Sequence, residues 1–152
     1  MKTINPLLSS KLFDEKTFYQ TFINDLKTCQ KEIIIESPFI SSTRMKMLYP
    51  VFENLIKCGV KVYVVTRDPR EHVKLYKEQS EQEIQRFEQL GVQVFICSGN
   101  HHRKLAILDR KILWEGSLNI LSQSKSREIM RRIDSKKLTL EMFNFLKFSR
   151  FI

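Results

Sequence analysis

From Phe13 to Glu32 the apolar residues Phe13, Phe18, Phe22, Ile23 and Leu26 recur at intervals near three to five behind an acidic start at Asp14 and Glu15, a spacing that predicts an amphipathic helix. The segment EIIIESPFI follows. Its consecutive Ile residues are too few and too uniformly apolar for a surface helix, so it predicts a buried strand stopped by Pro38. Helical spacing returns from Met45 to Lys57 through Leu48, Val51, Phe52, Leu55 and Ile56, with Pro50 as an expected kink and Gly59 suited to the C-terminal end. Val60 to Asp68, VKVYVVTRD, predicts a second strand. A charged stretch from Pro69 to Glu83 then leads into a helix marked by Ile84, Phe87 and Leu90 and closed at Gly91; its KEQSEQE run reads as a solvated helix face. Val92 to Cys97, VQVFIC, predicts a third strand.

Strand followed by helix, repeated, argues for an α/β domain with a largely parallel, buried sheet. Beyond Ser98-Gly99-Asn100 the pattern changes, and KLAILD and ILWEGSLNI predict two extended segments joined by a tight turn at Arg110-Lys111. The tail from Leu138 to Ile152 spreads Leu140, Phe143, Phe145, Leu146, Phe148, Phe151 and Ile152 over more than one stripe. It is expected to pack against this domain or a partner subunit, since its polar side carries few basic residues for an anionic lipid surface. No linker or low-complexity block divides the chain, so residues 1–152 are read as one domain.

Composition supports a packed core: 42% hydrophobic and 11% aromatic residues in 152, with four Gly and four Pro, exclude a disordered basic tail. No apolar run approaches the roughly 20 residues of a membrane-spanning helix, and MKTINPLLSSKLFDEKT lacks the apolar segment of a secretory signal, which points to a cytoplasmic protein. Cys29, Cys58 and Cys97 are odd in number and widely spaced without a C-x-x-C pair, and are expected to be buried free thiols. The 26 Lys+Arg against 17 Asp+Glu leave a net charge of +9, which attracts nucleic acid or an anionic membrane surface and leaves binder and enzyme both open.

The segment that narrows this choice is His102-Arg103-Lys104, Asp109 after four intervening residues, and Gly116-Ser117-Leu118-Asn119 after six more. It resembles the H-x-K-x4-D-x6-G-S-x-N signature of the phospholipase D superfamily. Six fixed positions make the signal specific where a lone pair would be weak. The resemblance implies an α/β/α sandwich with a mixed, largely parallel sheet covering most of the chain. It also implies a phosphodiesterase whose nucleophile is a histidine.

The residue types fit that chemistry. A phosphodiester is an anion, so a neutral imidazole is a good attacking group, and cationic or amide donors must hold the non-bridging oxygens. In an extended segment residues two apart share a face, so His102 and Lys104 can reach one phosphate together. Asn119 can add an amide donor and Ser117 a hydroxyl. Asp109 differs in parity from His102 and is expected to be structural, fixing the Arg110-Lys111 turn or the pocket walls. The attacking imidazole needs an acceptor on its second nitrogen. Family nucleases use a Glu downstream of the Gly-Ser-x-Asn element; Glu128 is the matching candidate, with Glu36 and Glu115 as rivals. Arg103, Arg127, Arg131 and Arg132 lie close to the motif in sequence and are expected to contact flanking phosphates. His72, in a second H-x-K without the rest of the signature, and His101, one residue out of frame, are read as structural and local. Ser37 to Ser42, SPFISS, follows a strand end and either borders the site or merely caps a loop.

The two-step mechanism implied by the family uses one His to attack phosphorus and another to protonate the leaving oxygen. One motif supplies one such His, and 152 residues leave no room for a second copy, so a homodimer with a composite site is expected. Lys104 and Asn119 from both copies would replace a divalent ion, and no metal or other cofactor is expected. The expected substrate is DNA or RNA. Two other classes stand beside it: a phospholipid-acting phosphodiesterase or phosphatidyltransferase, and a non-catalytic nucleic-acid-binding module of a larger helicase or restriction system.

Overall fold

The computed structural model describes residues 9–122 and 125–152; the first eight residues, part of the stretch read above for a signal, lie outside the described residues. In chain order the elements are β1 (Ser10–Asp14), α1 (Phe18–Thr28), β2 (Glu32–Glu36), α2 (Ser42–Lys57), β3 (Lys61–Arg67), α3 (Lys74–Leu90), β4 (Gln93–Cys97), β5 (Leu105–Leu108), β6 (Ile112–Gly116), β7 (Ile129–Asp134) and α4 (Lys136–Phe145). They build one seven-stranded sheet in the order β1-β7-β6-β5-β2-β3-β4.

Ile33 and Ile35 of β2 face a core made with Phe18, Phe22 and Leu26 of α1, Met45, Leu48 and Phe52 of α2, and Ile84 and Phe87 of α3. Ile34 faces the opposite side, where Phe143 of α4, Leu146 and Phe148 close a second, thinner layer. An uninterrupted Ile run is what a strand covered on both faces requires. The tail therefore packs on its own domain, although Phe145 remains 78% exposed. The sheet is mixed, and the architecture is α/β/α. Its parallel part is smaller than expected: only β2–β3 and β3–β4 run parallel, while β2–β5, β5–β6, β6–β7 and β1–β7 are antiparallel.

Three local expectations are corrected. The first helix begins at Phe18, because Asp14 ends a strand: its Oδ1 accepts the N–H groups of Lys16 and Thr17 and the Thr17 hydroxyl, a tight turn that separates Phe13 from the helix. The charged run before Ile84 is helical from Lys74 onward and is not wholly solvated, since Ser80 and Glu83 are buried and the Tyr49 hydroxyl donates to the Glu83 carboxylate. Of the three thiols only Cys29 is buried; Cys58, at the C-terminal cap of α2, is exposed and Cys97 is half-buried.

The pairing decides where chemistry can sit. Glu36 lies opposite Leu105, Leu105 opposite Glu115, and Gly116 opposite Met130. The end of β2, the start of β5, the end of β6 and the start of β7 thus meet at one end of the sheet. The other end carries the β5–β6 turn, where Asp109 and Arg110 both have positive φ and the Lys111 N–H donates to the Leu108 carbonyl at 2.9 Å. That is the expected tight turn, centred on Asp109-Arg110 and so one residue earlier than Arg110-Lys111. Among the described residues no helix is long and apolar enough to cross a membrane.

Candidate active site

His102 and Lys104 occupy the approach to β5. The Lys104 Nζ lies 2.9 Å from His102 Nδ1 and 2.9 Å from the His102 carbonyl oxygen. Both residues line a groove of about 690 Å³ together with Leu12, Gly116, Ile129, Arg131 and Phe145. Burial pushes the Lys104 ammonium below the usual lysine range, and the negative charge of Glu128 opposes that push. Glu128 is therefore within electrostatic reach of the pair, although among the described residues it makes no hydrogen bond to His102.

The turn after β6 is set by Gly116. A Cβ there would stand 2.2 Å from the Ile129 carbonyl oxygen and 2.9 Å from the Met130 Cα, so only glycine lets β7 approach. Ser117 uses its hydroxyl on the same neighbour, accepting the Ile129 N–H at 3.0 Å and donating to the Ile129 carbonyl at 3.4 Å. Asn119 follows, with its Oδ1 buried and without a hydrogen-bond partner among the described residues. It lines a small recess with Glu15, Tyr19, Arg44, Ser122 and Glu128. The Glu128 main-chain N–H donates to the Glu15 carboxylate at 3.1 Å, which anchors the segment carrying Glu128 beside Asn119.

Tyr19 and Arg44 were not singled out from sequence. The Tyr19 hydroxyl donates to the Ile120 carbonyl at 2.7 Å, and the Arg44 guanidinium sits 3.6 Å from the Tyr19 ring centroid. Tyr19 carries no such signal in the sequence, while Arg44 lies just past the SPFISS segment, which borders this turn: Ser37 Oγ accepts the Leu121 N–H at 3.1 Å and the Ser41 N–H donates to the Leu121 carbonyl at 2.9 Å.

Other expected site residues are placed elsewhere. Asp109 lies at the far end of β5, where its Oδ1 accepts the N–H groups of Lys31 and Glu32 and its Oδ2 that of Gln30, clamping the α1–β2 connection rather than the Arg110-Lys111 turn or the pocket. Arg103, expected on substrate phosphate, lines the same groove but spends its guanidinium on a bidentate pair with buried Glu36 at 3.0 and 3.0 Å. Glu36 is thereby engaged away from His102. Arg132 lies outside the groove lining, paired with Asp25 at 2.7 Å, and the same carboxylate accepts the Trp114 indole N–H. Arg131 lines the groove, with one guanidinium nitrogen on Ser10 Oγ at 2.9 Å, and Arg127 is exposed. Glu115 is half-buried on the groove wall. His72 stacks on Phe39 with ring centroids 4.7 Å apart, and burial lowers its pKa below the usual histidine range.

The arrangement offers an imidazole and an ammonium on one groove and an amide and a carboxylate in a separate recess; the two share no lining residue and are linked by the charge of Glu128 acting on Lys104. Among solved structures the chain is similar to Nuc of Salmonella typhimurium, a phospholipase D family member, with a TM-score of 0.74 at 17% identity over 91% of each chain. It is similar to NucT from Helicobacter pylori at TM-score 0.66 and 16% identity, over 91% of this chain and 92% of that one. Phosphatidylserine synthase of Haemophilus influenzae Rd KW20 gives 0.61 at 13% identity, over 88% of this chain and 37% of that one. At such identities the likeness establishes the fold. Comparison with curated proteins gives no match. The sequence itself matches the family described as cardiolipin synthase, PLD-like domain, over residues 22–147, a span that runs from α1 past the end of α4 and contains the whole His102-to-Asn119 signature; the chain belongs to that phospholipase D-like family.

Proposed function

We propose that this protein is a metal-independent phosphodiesterase, a nuclease acting on DNA or RNA through a covalent phosphohistidine, with its site completed by a second copy of the chain. The observation that carries this reading is the His102–Lys104 pair, in contact at 2.9 Å on one open groove. His102 Nε2 forms the bond to phosphorus as the bond to the leaving oxygen breaks, and His102 of the second copy gives that oxygen its proton. The same imidazole then takes a proton from water, whose oxygen displaces His102. Lys104 and Asn119 hold the non-bridging oxygens, which gather negative charge in the transition state.

The tautomer matters here. With the Lys104 ammonium donating to Nδ1, the ring proton of neutral His102 resides on Nε2, and attack through Nε2 requires that Lys104 move onto a phosphate oxygen while a carboxylate receives an Nδ1–H. We assign that carboxylate to Glu128, whose charge already acts on Lys104. The second copy is supported by the exposed apolar side chains beside the pair, Leu12 at 59%, Ile129 at 64% and Phe145 at 78%, which a matching face would cover. The net charge of +9 suits a polyanionic substrate.

The test is incubation with labelled DNA and RNA in excess chelator, with His102→Ala as control. Cleavage that survives chelator and is lost in the variant is expected; activity abolished by chelator and restored by magnesium overturns the mechanism. A strict monomer with full activity overturns the composite site. A second reading, phosphatidyl transfer or hydrolysis, draws on the apolar lining of the same groove, where Leu12, Ile129, Met142, Phe145 and Leu146 stand next to His102. Phosphatidylcholine turnover in place of nucleic-acid cleavage would select it, and salt-sensitive binding of nucleic acid without cleavage would select a non-catalytic binding module.

A further inference from the structure

We propose that Glu36 and Arg103 form a positioning clasp: by holding the odd-numbered residues of the motif segment inward, the buried carboxylate of Glu36 turns His102 and Lys104 outward into the groove. The inference rests on reading His102 and Lys104 as the reacting pair.

Residues 98–104 join β4 to β5 and belong to neither strand, so no ladder sets which way their side chains face. Gly99 and Asn100 start the segment at positive φ, tied down where the Glu71 carboxylate accepts their N–H groups at 3.1 Å. From there the direction alternates. His101 turns in, its side chain 8% exposed and its Nε2 3.5 Å from Glu36 Oε1. Arg103 aims its guanidinium at the same carboxylate, with Nε and one terminal nitrogen each 3.0 Å from a Glu36 oxygen, while its side chain stays 45% exposed and forms part of the groove wall. His102 and Lys104 make no contact with Glu36 among the described residues; they meet each other in the groove, as alternation in an extended segment demands. A one-residue slip would exchange the two faces and withdraw both reacting groups.

Glu36 is the last residue of β2 and fully buried, and its neighbours across the ladder are Val65 and Leu105. A carboxylate in that position cannot be left unpaired, and the planar fork of an arginine satisfies both its oxygens in one fixed orientation. Burial pushes the Glu36 carboxyl above the usual carboxylate range, while Arg103 favours its charged form. The Lys104–His102 contact lies in a partly exposed groove and is weaker by comparison. Thus the stronger interaction, a bidentate pair on a buried carboxylate, sits at the signature's variable position and sets the geometry of the fixed ones.

Glu36→Gln, Arg103→Met and the pair together distinguish a clasp from a substrate contact. Steady-state cleavage of labelled DNA by folded protein, with folding checked by thermal melting, is expected to show kcat reduced about 100-fold in both single variants and KM within about two-fold of wild type. The double variant should be no worse than the worse single variant, because one interaction is lost in each case. Arg103→Lys, which keeps the charge and loses the fork, should fall between. Nitrogen-15 chemical shifts of the His102 ring give a readout independent of turnover, and both single variants should move them. Raised KM at unchanged kcat in Arg103→Met alone, additive losses in the double variant, or ring shifts identical to wild type would each overturn the clasp. Ring shifts that move in a wild-type background that cleaves neither DNA nor RNA would overturn the nuclease reading and uphold the clasp.

Discussion

Asp109 is the third letter of the H-K-D signature, and its replacement separates a structural role from a chemical one. Its carboxylate accepts three main-chain N–H groups, from Gln30 at 2.9 Å, Lys31 at 2.8 Å and Glu32 at 2.9 Å. Each hydrogen bond to a charged acceptor stabilises by about 1.5–3 kcal/mol when shielded, but Gln30 and Lys31 are exposed, so about 1 kcal/mol apiece is the better figure. The residue also sits at φ +52°, a conformation that costs alanine roughly 1–2 kcal/mol and asparagine less. Asp109→Ala should therefore destabilise by about 4 kcal/mol and Asp109→Asn by about 2, which for a domain of this size lowers Tm by roughly 8–16 °C and 4–8 °C. Asp109→Gly removes the same bonds without the φ penalty and should lie between. His102 is seven residues away along an extended chain, roughly 20 Å. The kcat of folded Asp109→Asn, measured well below its Tm, is expected to match wild type. A variant with unchanged Tm and activity as low as His102→Ala would refute the reasoning.

The other expectations concern the groove and the thiols. Gly116→Ala must move either the turn or β7, since its Cβ would stand 2.2 Å from the Ile129 oxygen; loss of cleavage is expected together with broadened amide signals at Ser117 and Ile129, and an unperturbed variant would disprove the close approach. Glu128→Gln removes the negative charge that opposes the burial of Lys104, so the lysine pKa should fall further and the alkaline limb of the activity profile should move to lower pH; NMR titration of the Lys104 ammonium reads this directly, and an upward or absent shift contradicts it. A thiol reagent should modify Cys58 rapidly in native protein and leave Cys29 untouched, because Cys29 is buried and its thiol is pushed up to about 12; equal rates for the two would contradict the burial pattern.

The strands and helices that make the α/β core were legible because each carries one dominant signal: three Ile in β2, β-branched runs in β3, and a glycine at positive φ after α2 and after α3. The β5–β6 hairpin was legible too; what escaped was the antiparallel edge beyond it, β7 and β1. β1 and β7 pair with each other at the edge, and their exposed faces carry Lys11, Leu12, Ile129 and Arg131 in place of a clean alternation. Phe13 looked like the first turn of a helix because its spacing to Phe18 fits one; the Asp14–Thr17 turn that breaks the helix lies in hydrogen bonds that hydrophobic period does not encode. Missing those two strands inflated the parallel share of the sheet.

The motif itself was legible at its fixed positions and opaque at the others. Charge and proximity in sequence made Arg103 and Arg132 resemble phosphate contacts, yet each is committed to a buried carboxylate brought from another element, Glu36 at the end of β2 and Asp25 in α1. Nothing within the signature announces those partners, which stand 67 and 107 residues away. The cost of burying a carboxylate supplies the missing rule: Glu36 and Asp25 sit among core residues, and each must recruit a cation. An arginine that follows a strand pattern near such an acid is therefore spent on structure first, and the charge left for substrate is carried by residues with no buried acid to satisfy. If the substrate is nucleic acid as proposed, that rule leaves Lys104 and the exposed Arg127 for the phosphate backbone, together with Arg131, whose partner is the neutral Ser10 hydroxyl. Arg127→Ala and Arg131→Ala should each reduce the salt dependence of nucleic-acid binding by about one counterion, and Arg132→Ala should lower Tm without doing so. A salt slope that responds to Arg132 and ignores Arg131 would reverse the assignment.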